Sequence, residues 1–163
     1  MAVDVFLKID GIEGESKDSK HAGEIEVQSW SWGMSQTAST HSGGGGGTGK
    51  ATVNDIQIHH YVDKSSPNLM QYCLAGKHID NALLTLRKAS GDDKGLDFLK
   101  VKLTDLIISS VQVGSSGGDE RPVESFSLNF AKVEVEYQEQ DQKGAAKGGP
   151  VKAGYDVKLS KKV

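Results

Sequence analysis

The residues nearest in pattern to a chemical motif are the run Gly44-Gly45-Gly46-Gly47-Thr48-Gly49-Lys50-Ala51, one residue short of the phosphate-binding pattern Gly-x-x-x-x-Gly-Lys-Ser/Thr. A phosphate loop needs a hydroxyl directly after the lysine to hold magnesium, and a helix N-terminus whose amides face the phosphates. Ala51 has no hydroxyl, and Thr52-Val53-Asn54-Asp55-Ile56-Gln57-Ile58 alternates as a strand. Consecutive glycines also make a preorganised cradle entropically costly. The histidines, His21, His41, His59, His60 and His78, form neither an H-E-x-x-H pair nor a Cys/His cluster and read as surface or edge residues. His59 and His60 point to opposite faces of one strand and cannot share a metal. There is no G-x-S-x-G elbow, and the carboxylates are scattered. The sequence therefore predicts no catalytic, cofactor-binding or metal-ligating residue, and no enzyme.

More informative is Ser29-Trp30-Ser31-Trp32-Gly33-Met34-Ser35. On a strand the two indoles share one face, where they can anchor a core, and Ser29, Ser31 and Gly33 share the other. A small, uncharged outer face is unusual for a monomer, which typically carries Lys and Glu there, and suits a pore or a partner.

The elements that must carry these residues have a period of two. Strand candidates are Val3 to Ile9, Glu24 to Met34, Thr52 to Val62, Asn81 to Ala89, Leu96 to Leu103, Leu106 to Val113, Val123 to Gln138 and Val151 to Leu159. Two change phase, between Val27 and Trp30 and between Phe130 and Val133, as a β-bulge would cause, or as burial on both faces against a neighbouring subunit would allow. One helix of about ten residues fits the sequence after Ser65-Ser66-Pro67, with Leu69, Met70 and Cys73 on its apolar side and Gly76 as its stop. Cys73 then reads as a small core residue.

Twenty of 163 residues are glycine, well above ordinary usage of about 7%, and they concentrate in loops. With 36% hydrophobic and 25% charged residues, the composition is that of one globular domain spanning 1–163. A single cysteine excludes an internal disulfide framework. No run is long and apolar enough for a membrane helix and the N-terminal residues lack a Sec-type signal, so folding in the cytoplasm is expected, without stable membrane insertion. A net charge of −3, only two arginines and no basic stripe argue against nucleic acid as partner.

In order along the chain, V-F-L-K-I, G-E-S-K-D at 14–18, W-S-W-G-M-S at 30–35, the glycine run, D-K-S-S-P-N-L-M at 63–70, G-K-H at 76–78, L-T-L-R-K-A at 84–89 and S-L-N-F-A-K-V-E-V-E-Y at 127–137 closely resemble the hemolysin co-regulated protein (Hcp) family of bacterial type VI secretion. The resemblance implies a single-domain β-barrel of about eight to ten antiparallel strands with one flanking short helix and a long Gly-rich loop. It implies a homohexameric ring that stacks into the inner tube of a contractile machine, with a VgrG spike, contractile sheath proteins and secreted effectors as partners, and export of the protein by that machine. Ser29, Ser31 and Gly33 are then expected to face the lumen and contact effectors, with Trp30 and Trp32 in the subunit core. The loop containing Thr37, Thr40, His41, Gly43, Gly44, Gly45, Gly46, Gly47, Thr48 and Lys50 is expected to reach toward the adjacent ring. The competing expectations are a monomeric β-sandwich binding module or adhesin and, more weakly, a nucleotide-using enzyme.

Overall fold

A computed structural model describes residues 2–38, 49–88, 95–118 and 120–163. The chain runs β1 (Val3–Ile9), β2 (Ile25–Val27), β3 (Ser29–Ser31), β4 (Met34–Gln36), β5 (Ala51–Val53), β6 (Ile56–Tyr61), α1 (Ser66–Ala75), β7 (Ile79–Lys88), β8 (Asp97–Gly114), β9 (Val123–Tyr137), β10 (Val151–Asp156) and β11 (Lys161–Lys162). The expected mainly β, antiparallel architecture with one helix is present. The hydrogen-bonded order is β11-β10-β9-β8-β7-β1-β2, and β6 joins β9 to β3 off that path. This ladder does not itself close into a barrel. The chain links its β2 end to the β6–β3 branch, because Ile25–Val27 pairs with β1 while Ser29–Ser31 pairs with β6.

That hand-over explains the first phase change. At Gln28 the segment leaves β1 and its N–H donates to the carbonyl of His59 (2.8 Å), so residues before and after the switch obey different alternations. What the periodicity reads as one strand from Glu24 to Met34 is three short ones. The second phase change lies opposite Asp105, a non-glycine residue at φ 53° inside β8. A left-handed residue turns the strand while the ladder continues from Thr104↔Lys132 to Leu106↔Phe130. A bulge between Ile108 and Ser110 supplies a further slip, so the two candidate strands 96–103 and 106–113 form one strand of 18 residues.

The enclosed face buries Leu7, Ile25, Ile56, Ile58, Leu84, Val101, Leu103, Ile108, Phe126 and Leu128, each at 1% exposure or less. Each such side chain contributes roughly 1.5–3 kcal/mol by leaving water. Helix α1 closes the core with Leu69, and Cys73 packs half-buried beside it. Met70, expected on the apolar side, is instead 54% exposed, because only one narrow side of this short helix meets the sheet. Gly76 stops the helix in the left-handed conformation as expected. Ser65 makes no side-chain cap; its hydroxyl donates to Asp63 Oδ1 instead.

Candidate functional site

The outer surface of β3 is built as its alternation predicts. Ser29 and Ser31 are exposed, while Trp30 pairs across from Ile58 and is half-buried at the margin of the core. Trp32 lies edge-on to Phe130 at 6.1 Å, and its indole N–H donates to the carbonyl of Asn54 (2.9 Å). The Asn54 N–H donates in turn to the carbonyl of Gly33 (3.0 Å). This reciprocal pair fixes the break between β3 and β4. Gly33 is half-buried there, off the β3 row. A Cβ on it would make only an ordinary contact of 3.6 Å with Asn54.

Register extends the serine row across three further strands. Ser29 lies opposite His59, His59 opposite Ser125 and Ser125 opposite Gln112; the next row runs Ser31, Gln57, Ser127, Ser110. None of these eight side chains is an acid, a lysine or an arginine. Ser127 is buried and belongs to a hydroxyl chain. Ser109 Oγ donates to Asp55 Oδ2 (2.7 Å), so the Ser109–Ser127 contact (2.7 Å) must use the Ser127 proton, and Ser110 must donate to Ser127 (2.5 Å). Ser109, Ser110 and Ser127 are thus locked to one another, and of the two rows Ser29, Ser31, Gln57, His59, Ser110 and Gln112 are exposed.

The β4–β5 ribbon stands apart as its own two-stranded sheet. Beyond it Thr37 and Lys50 meet: the Lys50 N–H donates to Thr37 Oγ1 (3.0 Å) and that hydroxyl donates to the Lys50 carbonyl (3.3 Å). Gly49 passes so near the other leg that a Cβ would lie 2.2 Å from the Ala38 nitrogen. Thr40, His41, Gly43, Gly44, Gly45, Gly46, Gly47 and Thr48 lie outside the described residues. The chain after Lys50 enters a strand at Ala51, not a helix, as the argument against a phosphate loop requires.

Sequence spacing missed the buried polar groups. His60, expected near the surface, is 1% exposed; its Nε2 donates to Glu124 Oε1 (2.7 Å), which also accepts from Ser66 Oγ (2.9 Å). His60 and Glu124 are opposite in the β6–β9 register, but their 64-residue separation hides the pair in the sequence. His21, likewise expected outside, is buried against Phe6 with ring centroids 4.5 Å apart, and bonds Glu24 (2.7 Å) and Asp97 (3.2 Å). Asp18 is held below its ordinary range chiefly by the backbone N–H of Lys20, against the opposing effect of burial and with help from the Arg87 charge. Asp105 is lowered by hydrogen bonds from Lys158 (2.7 Å) and His78 (3.0 Å), and Lys158 is raised by the same contact. Among the described residues no three His, Cys, Asp or Glu side chains are grouped to hold a metal.

Residues 6–137 match the family model described as "Type VI secretion system effector, Hcp". The chain belongs to the Hcp family. It is 54% identical to Protein hcp1 of Pseudomonas aeruginosa over 158 residues, covering 97% of both chains. Among solved structures it superposes on "Structure of a type six secretion system protein" with a TM-score of 0.91 at 33% identity, covering 99% of this chain and 100% of that one. It superposes on Hcp1 from Salmonella typhimurium with a TM-score of 0.79 at 42% identity and full coverage of both. The ordered motifs that carried the resemblance therefore identified the Hcp family and its place in type VI secretion.

Proposed function

We propose that this Hcp-family chain is a non-catalytic tube subunit of type VI secretion. Six copies form a ring, rings stack into an inner tube, and sheath contraction drives that tube out behind a VgrG spike with effectors in its lumen. The chain leaves the cell by this route. The observation that carries the lumen assignment is the pair of rows through Ser29 and Ser31, free of lysine, arginine and carboxylate side chains over four strands. A surface of small hydroxyls and amides holds cargo weakly and without charge selection, which suits passage through a channel. Gly33 takes part through the turn at the end of that row. The ribbon ending at Thr37 and Lys50 supports the stacking role, because the hydrogen bonds between those two residues pin the two ends between which the glycine run lies in the sequence.

Light scattering tests the ring. The expected mass is near six times 17.4 kDa, and a monomer at micromolar concentration overturns the reading. Ser31→Trp is then expected to leave the ring intact while reducing effector co-purification, and unchanged co-purification overturns the lumen assignment. Deleting Gly43 to Gly47 is expected to spare the ring and impair tube formation; loss of the ring itself counts against the stacking role.

A further inference from the structure

A cleft of about 300 Å³ opens where β8 bends at Asp105, and residues before β6, after α1 and after β10 complete its walls. That size lies at the lower end for small-molecule sites. Its base is apolar, since Leu106 and Phe130 are buried and Val157 packs half-buried against the same core. Four ionisable side chains line it: Asp55, His78, Asp105 and Lys158.

Three of the four are committed to one another. Asp105 Oδ2 accepts from Lys158 Nζ (2.7 Å) and Asp105 Oδ1 accepts from His78 Nδ1 (3.0 Å). Beside a neutral His78, the lysine cancels the charge of Asp105. Asp55 is left over. Its Oδ1 accepts from Asn129 Nδ2 (2.8 Å) and its Oδ2 from Ser109 Oγ (2.7 Å), both neutral donors. Among the described residues no lysine, arginine or histidine forms an ion pair with it. The two donors therefore hold the carboxylate in place without neutralising it, and each oxygen keeps a free lone pair. A half-buried, oriented carboxylate lining the same cleft as an apolar base is the complement of a positive group carried on an apolar stem.

We propose that this cleft binds a primary ammonium group on an unbranched apolar stem, with the nitrogen on Asp55 and the stem against Leu106 and Phe130. An ammonium has three donors, enough to serve the free lone pairs of both Asp55 oxygens. Its single charge balances the one the cleft leaves uncompensated. A free alkylamine and the lysine side chain of a polypeptide carry this same chemistry. The site is built within one chain and does not depend on the ring-subunit reading.

Calorimetric titration of the full chain tests it at about pH 8, above the ordinary range of an imidazole. The probes are pentylammonium, pentanol and pentanoate, which share a stem and differ in charge. Pentylammonium is expected to bind in the millimolar range or tighter, pentanol at least about tenfold more weakly, and pentanoate not at all. Asp55→Asn keeps the shape of the side chain and is expected to weaken pentylammonium by about tenfold or more. Lys158→Met is expected to tighten it, because Asp105 then adds a second uncompensated charge. Thermal melting checks that both variants fold, and the probe series needs no variant. A capped lysine that binds as well as pentylammonium assigns the cleft to polypeptide side chains, and one that binds about tenfold more weakly assigns it to free amines. Equal binding of the three probes, or no binding of pentylammonium, overturns the proposal. Preference for pentanoate, or weaker amine binding by folded Lys158→Met, overturns it in favour of an anion.

Discussion

Replacing Glu124 by alanine isolates the cost of a polar network sealed inside the sheet. Glu124 Oε1 accepts from His60 Nε2 at 2.7 Å and from Ser66 Oγ at 2.9 Å, and the Glu124 and His60 side chains are 1% and 0% exposed. After truncation both donors lose the carboxylate that accepts from them, while His60 is only 1% and Ser66 only 8% exposed. Breaking a buried pair in this way costs about 3–5 kcal/mol. For a domain of this size each kcal/mol moves the thermal midpoint by about 2–4 °C, so the midpoint should fall by roughly 6–20 °C. Glu124→Gln keeps an acceptor oxygen in place and should cost about 1–2 kcal/mol, the value of a hydrogen bond that has lost its charge. The double variant H60F/E124L removes donor and acceptor together. It should recover most of the loss, since a buried pair is commonly replaceable by apolar groups of similar volume. Urea unfolding at one fixed protomer concentration measures all three, holding constant any contribution from subunit association. A cost below about 1 kcal/mol for Glu124→Ala, or a double variant as damaged as the single one, would refute the reasoning.

Asp105, at φ 53°, should accept Gly or Asn with little loss, whereas Asp105→Val should cost more than about 2 kcal/mol, because β-branched residues do not adopt that conformation; chemical denaturation orders the series. The lowered carboxyls of Asp105 and Asp18 stabilise the fold above their ordinary value of 3.8, and that stabilisation is lost as pH falls below it. Asp105→Asn and Asp18→Asn should therefore each flatten the decline in stability at acid pH, read as thermal midpoint against pH. Gly14→Ala should be strongly destabilising, since its Cβ would lie 2.5 Å from the Glu24 carbonyl oxygen and 2.7 Å from Ile25 Cα, both backbone atoms. Gly154→Ala should be milder, because its nearest obstacle, at 2.7 Å, is the terminal methyl of the Val163 side chain, and expression with thermal melting separates the two.

Local rules in the sequence determined much of this protein. Alternation located every long strand, the proline and glycine around 67 and 76 delimited the helix, and the parity of Ser29, Trp30 and Ser31 assigned indoles inward and hydroxyls outward. Ala51 alone was enough to refuse the phosphate loop, since a missing hydroxyl is a fact about one residue. Tertiary structure decided what depends on partners distant in the chain. The break at Gln28 exists because two different strands claim the two halves of one segment, and no window of sequence around it contains β1 or β6. His60 and Glu124 are each unremarkable in their own strands and become a buried pair only when register sets them opposite one another. The extent of the uncharged face was likewise settled by strand order. Periodicity fixes which way a side chain points, but its neighbours are chosen by pairing between strands, and burial follows from those neighbours.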